Sequence, residues 1–313
     1  MTQSIGAQGI LGIAFETVYG TYVVPAKYHP FLSETLTNPF EHVFRRPVRG
    51  VADVVGAKKG NSRVEGDITF EVQDDAMVYW LAAARGTIVK AGAGPYTYTF
   101  TPSHAGKGPV NKALSITIQR GDEAFGYVGC LVTALEFSHQ DGILTCRASV
   151  IGKDEATQTD ITGTFSAVDV FGPGEWNVEV PTATVRTDID TFTLTVDDSG
   201  EAQHRLSNTR TPQFVKYGER SVALTLEADF DTRTEYDAFK ALTAQEILVE
   251  ADLDADQYVH LKVNSAIKES YEVNIGGQGD LVRASISYQG IYDTGDSKSY
   301  EIEVGSEANI VLT

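Results

Sequence analysis

What most constrains this chain is a unit it uses twice, a short alternating strand followed at once by a short helix. In RVEGDITFEVQDDAMVYWLAAAR, Arg63 to Arg85, the apolar side chains Ile68, Phe70 and Val72 recur with period two, the pattern of a strand with one buried face. Asp74 and Asp75 then offer an N-terminal cap and first-turn negative charge to a helix over 76–84. Met77, Trp80, Leu81 and Ala84 repeat there at helical spacing, and Gly86 stops the helix. The device returns in ERSVALTLEADFDTRTEYDAFKALTAQ, where Val222, Leu224 and Leu226 alternate before Tyr236, Phe239 and Leu242 or Thr243 form a stripe.

The remaining pattern is strand-rich. Tyr96, Tyr98 and Phe100 alternate with threonines, and Leu114, Ile116 and Ile118 share one face. GYVGCLVTALEFS and GILTCRASVIGK flank Gln140-Asp141-Gly142, whose Asp-Gly pair signals a hairpin. Residues 153–190 are polar, rich in Thr and Gly, and contain Gly172-Pro173-Gly174, which marks a domain boundary. Beyond it the first half is replayed. Phe192, Leu194 and Val196 parallel the strand-like start at Ser33, and the Arg-Ala-Ser of Arg147 to Ser149 returns at Arg283 to Ser285.

Two basic stretches precede the two units. In the first, Phe44, Arg45, Arg46, Arg49, Lys58 and Lys59 lie among Val48, Val51, Val54 and Val55 without a compact turn signal, which reads as a long loop. The second, Arg205 to Arg220, carries Arg205, Arg210, Phe214 and Lys216. In a chain with 25 Lys and Arg against 43 Asp and Glu, clustered positive charge is the least expected feature. A long loop without structure of its own is functional or disordered, and the valines argue against disorder.

Composition narrows the function classes. A net charge of -18 argues against gripping nucleic acid by its phosphates, although not against a surface that nucleic acid slides past. No apolar run is long enough to span a bilayer as a helix, and the N-terminus lacks the charge and cleavage pattern of a secretory signal. Cys130 and Cys146 would fall out of register in the predicted hairpin, so two buried free thiols are expected. The six histidines are scattered, and HExxH, CxxC, G-x-S-x-G, Walker A and G-x-G-x-x-G patterns are missing. Asp252-Leu253-Asp254-Ala255-Asp256 begins like a calcium loop, but Gln257 and Val263 stand where glycine and glutamate are needed, leaving a solvated acidic turn. The expectation is a protein without catalytic residues, metal or cofactor.

GIAFETVYGTYVVPAKYHPFLSETL, followed by the basic valine-rich stretch and Gly66-Asp67-Ile68-Thr69-Phe70-Glu71-Val72, resembles the major tail tube proteins of long, non-contractile-tailed bacteriophages. The resemblance implies a mainly β chain of β-sandwich or barrel-like tail-tube domains, each with a short flanking α-helix and a long arm loop. With the duplication, these fall at 1–165 and 166–313, with arms at 41–63 and 201–220. It also implies stacked rings around a central channel. Most such rings are hexameric; a chain carrying the domain twice would need three copies for a pseudo-hexameric ring. The implied partners are other copies of the chain, the tape-measure protein and the tail-end proteins. DNA would pass an acidic lumen without specific binding, and no membrane is involved. The implied location is the virion tail, after synthesis in the host bacterial cytoplasm. Phe44, Arg45, Arg46, Arg49, Lys58, Lys59, Arg205, Arg210, Phe214 and Lys216 are the expected intersubunit or inter-ring contacts. The alternative is a carbohydrate- or receptor-binding virion module.

Overall fold

The computed structural model describes residues 6–158, 160–167, 169–230 and 232–312. Its first half runs through β1 (Ile10–Phe15), β2 (Lys27–His29), β3 (Ser33–Glu34), β4 (Phe40–Arg45), β5 (Gly56–Ser62) and β6 (Val64–Glu71). After α1 (Asp74–Ala83) come β7 (Gly86–Ala91), β8 (Tyr96–Pro102), β9 (Leu114–Arg120), β10 (Glu123–Gln140), β11 (Ile143–Gly152) and β12 (Asp154–Thr157). The second half has β13 (Trp176–Glu179), β14 (Ile189–Asp197), β15 (Glu201–Gln203), β16 (Phe214–Lys216) and β17 (Ser221–Asp229). It ends with α2 (Thr234–Lys240), β18 (Gln245–Asp252), β19 (Tyr258–Ile275), β20 (Val282–Gly290) and β21 (Tyr300–Ser306).

The alternating stretches became strands because every second side chain could be buried. β17 alternates buried Val222, Leu224, Leu226 and Ala228 with more exposed Ala223, Thr225, Glu227 and Asp229. Asp141 and Gly142 both take positive φ, 52° and 84°, the geometry of a type I′ turn, and this fixes the β10–β11 register. Cys130 faces Leu114 while Cys146 faces Phe137, so the two thiols are free, buried and apart in register. Burial pushes both thiols well up.

Strand pairing runs antiparallel in the order β3–β6–β11–β10–β14–β17–β20–β19, eight strands drawn from both halves. Within it, β3–β6–β11–β10 and β14–β17–β20–β19 follow the same order, and the two sets meet at β10–β14. Arg147, Ala148 and Ser149 sit on β11 where Arg283, Ala284 and Ser285 sit on β20: Ala148 lies between Leu135 and Ile68, Ala284 between Val273 and Ala228.

The two long strands, β10 and β19, each serve two sheets. The first part of β10 pairs with β9 and β12, and β9 continues to β1 and β2. The first part of β19 pairs with β18 and β21; β21 continues to β8 and β7 of the first half. These pairings branch without returning on themselves, so the protein is mainly β in several sheets and, among the described residues, no barrel closes. Leu11, Ile116, Phe70, Leu135, Leu194, Leu224, Ile286 and Ile302 belong to one continuous apolar core that runs through both halves.

The two helices differ from the sequence expectation. In α1, Met77, Val78, Trp80, Leu81, Ala82 and Ala83 are all buried, so it is an all-round core helix, not an amphipathic one. Its N-cap is Gln73, without a side-chain cap bond, and Asp74 and Asp75 are buried within the first turn. Lys27 of β2 pairs with Asp75 there and also donates to Ser166 Oγ at 2.7 Å. Trp80 Nε1–H donates to His29 Nε2 at 3.2 Å, and the Trp80 ring stacks on Phe70. In α2 no residue is buried, and Leu242, expected on its stripe, is exposed beyond its end. This helix is held by ion pairs from Glu235 to Arg186 and Lys268, at 3.0 and 2.6 Å, and by Tyr236 against Tyr271.

Candidate assembly interface

The first basic stretch is not an unstructured loop. It is a two-stranded hairpin, β4–β5, paired from Phe40↔Ser62 to Arg45↔Gly56 with a bulge before His42. Every residue of β4 is exposed, and Val43, Phe44, Val48, Val51 and Val54 are exposed apolar side chains on it. Lys59 lies over the Phe40 ring at 4.8 Å, and His42 stacks on Phe44. Arg45, Arg46, Arg49 and Lys58 are exposed, and among the described residues none has an ion-pair partner. A lone two-stranded hairpin is marginal in water, and this one exposes its apolar side chains among unpaired positive charges.

The second basic stretch forms the β15–β16 hairpin. Phe214 is half-buried between Lys107 and Arg205, whose charges lie 4.5 and 5.3 Å from its ring centre. Arg205, Arg210 and Lys216 are exposed. The hairpins touch: the Ser62 amide donates to the Arg210 carbonyl at 3.1 Å. Arg220, at the end of the same stretch, turns inward instead. It pairs with Asp198 at 2.7 Å, donates to the carbonyls of Arg85 and Ser103, and lies over Tyr300. Arg85 reaches the same Asp198 oxygen at 3.4 Å, so one buried carboxylate ties both halves together. Burial pushes the Asp198 carboxyl up while Arg220 and Arg85 pull it down; the net direction is upward.

The face of the eight-stranded sheet turned from the core is small, hydroxylated and acidic. It carries Glu65, Asp67 and Glu71 of β6, Glu136 of β10, Asp197 of β14 and Glu227 and Asp229 of β17, with Thr and Ser between them. Its two arginines are neutralised locally, Arg147 by Asp67 at 2.6 Å and Arg283 by Asp190. Partial burial would raise the Asp67 carboxyl, but hydrogen bonds from Arg147 and Ser149 outweigh it and hold it below the usual range. Sequence reading did not single out this face, although its alternation of Ser, Thr and acid with buried residues could have located it.

Among the described residues no cluster of His, Cys, Asp and Glu could hold a metal. In the Asp252 to Asp256 turn, Asp254 Oδ1 instead accepts the amides of Asp256 and Gln257, closing the β18–β19 connection. Among the described residues no helix is long and apolar enough to cross a membrane.

The body is mainly β, with an exposed β4–β5 hairpin, a β15–β16 hairpin packed on that body through Val215, and an acidic, hydroxylated sheet face. A family model described as phage tail tube protein matches residues 6–290, nearly the whole chain, and this chain belongs to that family. Membership makes it a structural protein of the virion tail, a subunit of its tube. A search of curated proteins finds no match.

Proposed function

We propose that the chain assembles into stacked rings around an acidic channel through which DNA passes, with the acidic face of the eight-stranded sheet as the channel wall. The observation that carries this reading is the sheet itself. It joins two topologically alike sets of strands, shows one apolar and one acidic face, and ends in an unpaired edge on β19 beyond Ala266. An acidic, hydroxylated wall releases no counterions from DNA, so the phosphates find no sticking point.

The repeated strand order supports two tandem tube domains, 1–165 and 166–313. Three chains then supply six domains per ring, the alternative being a hexamer of chains. The exposed residues of the two hairpins, Phe44, Arg45, Arg46, Arg49, Lys58, Lys59, Arg205, Arg210 and Lys216, with Phe214 as a packed anchor, contact neighbouring subunits or rings, whose acidic bodies complement them. The tape-measure and tail-end proteins are the further partners, and synthesis takes place in the host bacterium.

Negative-stain microscopy of the purified protein tests the reading. Rings or tubes with a central hole and three-fold or pseudo-six-fold symmetry are expected, and a discrete particle without a hole at every concentration would overturn it. Reversing the charges of Arg45, Arg46, Lys58 and Lys59 together should shorten the tubes or unstack the rings while leaving the melting temperature within a few degrees. Unchanged tube length would remove the hairpin from the stacking contact.

A further inference from the structure

We infer that the junction between copies of this chain repeats, residue for residue, the junction between β10 and β14 inside it. The end of β19 would pair antiparallel with residues 38–40 of a second copy, with Val273 opposite Phe40 and Ile275 opposite Asn38. The inference rests on the reading of the chain as a self-assembling tube subunit.

The internal junction pairs Leu135 with Val196 and Phe137 with Leu194, four residues that are at most 2% exposed. The Asp198 amide donates to the Thr133 carbonyl across the same two strands. Since hydrogen-bonded and non-hydrogen-bonded pairs alternate, Leu135/Val196 and Phe137/Leu194 are hydrogen-bonded pairs as well.

The second set of strands has no such neighbour. Leu135 and Phe137 lie across the hairpin from Ala148 and Cys146; the matching places across from Ala284 and Val282 hold Val273 and Ile275. These are 40% and 75% exposed. The first set has the complementary gap. Val196 faces Val222 of β17, and Phe40 faces Ser62, which lies as far before Ile68 as Val222 lies before Ala228. Ile68 and Ala228 are the partners of Ala148 and Ala284, so Phe40 occupies the step of Val196, yet it is 41% exposed. Apolar side chains therefore stand uncovered at three positions whose counterparts are sealed.

Backbone direction agrees independently. Thr37 and Glu65 exchange amide–carbonyl bonds at 3.0 Å, and the Thr35 amide donates to Asp67, so odd-numbered residues here point their amides toward β6. Pro39, which has no amide to donate, falls on that inner side. The amides of Asn38 and Phe40 then point outward, as the hydrogen-bonded partners of Ile275 and Val273 must. The single residue that could block the edge is aimed where it does no harm.

Disulfide trapping tests the register. Asn274 and Pro39 would form the close, non-hydrogen-bonded pair of the junction, within reach of a disulfide. Assembled Asn274→Cys/Pro39→Cys protein should give a ladder of covalent multimers on a non-reducing gel after oxidation. The offset pair Glu272→Cys/Pro39→Cys should give several-fold less, and the buried native cysteines stay silent. Rings without cross-linking, or equal cross-linking by the offset pair, would overturn the register while leaving ring assembly standing. If the unsubstituted protein forms no rings at any concentration, both readings fall. Ile275→Glu, a change at an exposed position, should keep the melting temperature and abolish assembly; rings formed by that variant would also overturn the inference.

Discussion

His29 shows how tightly the first half is built. It is fully buried between Phe70 and Trp80, and it accepts the indole N–H. Burial, with the nearby Lys27 charge second, lowers its pKa to about 3. An unfolded histidine titrates at about 6.5, so the folded protein binds this proton less readily than the unfolded chain. The neutral ring's contribution is complete above about pH 6.5 and is lost as pH falls toward 3. Unfolding free energies of the native protein and of His29→Gln, which keeps an acceptor for Trp80, should therefore diverge in acid. Between pH 6.5 and 4 the native protein should lose up to about 1.4 kcal/mol more per pH unit than the variant. Parallel curves in denaturant titrations would refute the buried neutral imidazole.

Residue identity alone did not reveal which charges are inside. Arg205 and Arg220 lie in one basic stretch and read alike, but one stands over Phe214 in solvent and the other closes on Asp198. The difference arises from Arg85 and Ser103, distant in sequence, which bring partners to Arg220 alone.

At the scale of elements, the alternating strands were legible because one face is wet and the other dry. The β10–β11 hairpin was legible because Asp-Gly has few other uses. The β4–β5 arm was not, because its strands have no dry face to impose alternation and Val48, Val51, Val54 and Val55 lie in the connection between them. The helices were legible in position but not in burial. The same spacing that puts Trp80 in the core puts Tyr236 on a surface anchored by Glu235 and Lys268. Trp80→Ala should accordingly cost about 3–5 kcal/mol of unfolding free energy, whereas Tyr236→Ala should cost within about 1 kcal/mol. Equal losses in urea denaturation would mean that the helices are packed alike.

At the scale of the whole molecule, the two halves share more than a sheet. β21 leaves the second half to pair with β8 of the first, Tyr98 Oη donates to the Ala308 carbonyl, and Arg85 crosses to Asp198. No local pattern announces such long-range pairing, so the continuity of the apolar core across the two halves was not legible in the sequence. Expressed separately, residues 1–165 and 166–313 should each lack a cooperative thermal transition, and mixing them should restore one. Two independent sharp transitions by calorimetry would show that the core is divisible.

The β10–β14 contact has a kinetic consequence. In the proposed ring, every second seam is already closed within a chain before any encounter between chains. For that seam, dilution is irrelevant, because its strands meet at the effective concentration set by the connecting segment. Only the seam at β19 depends on how much protein is present. The threshold for assembly can therefore be tuned at Val273, Ile275 and Phe40, without disturbing the folded unit that is added.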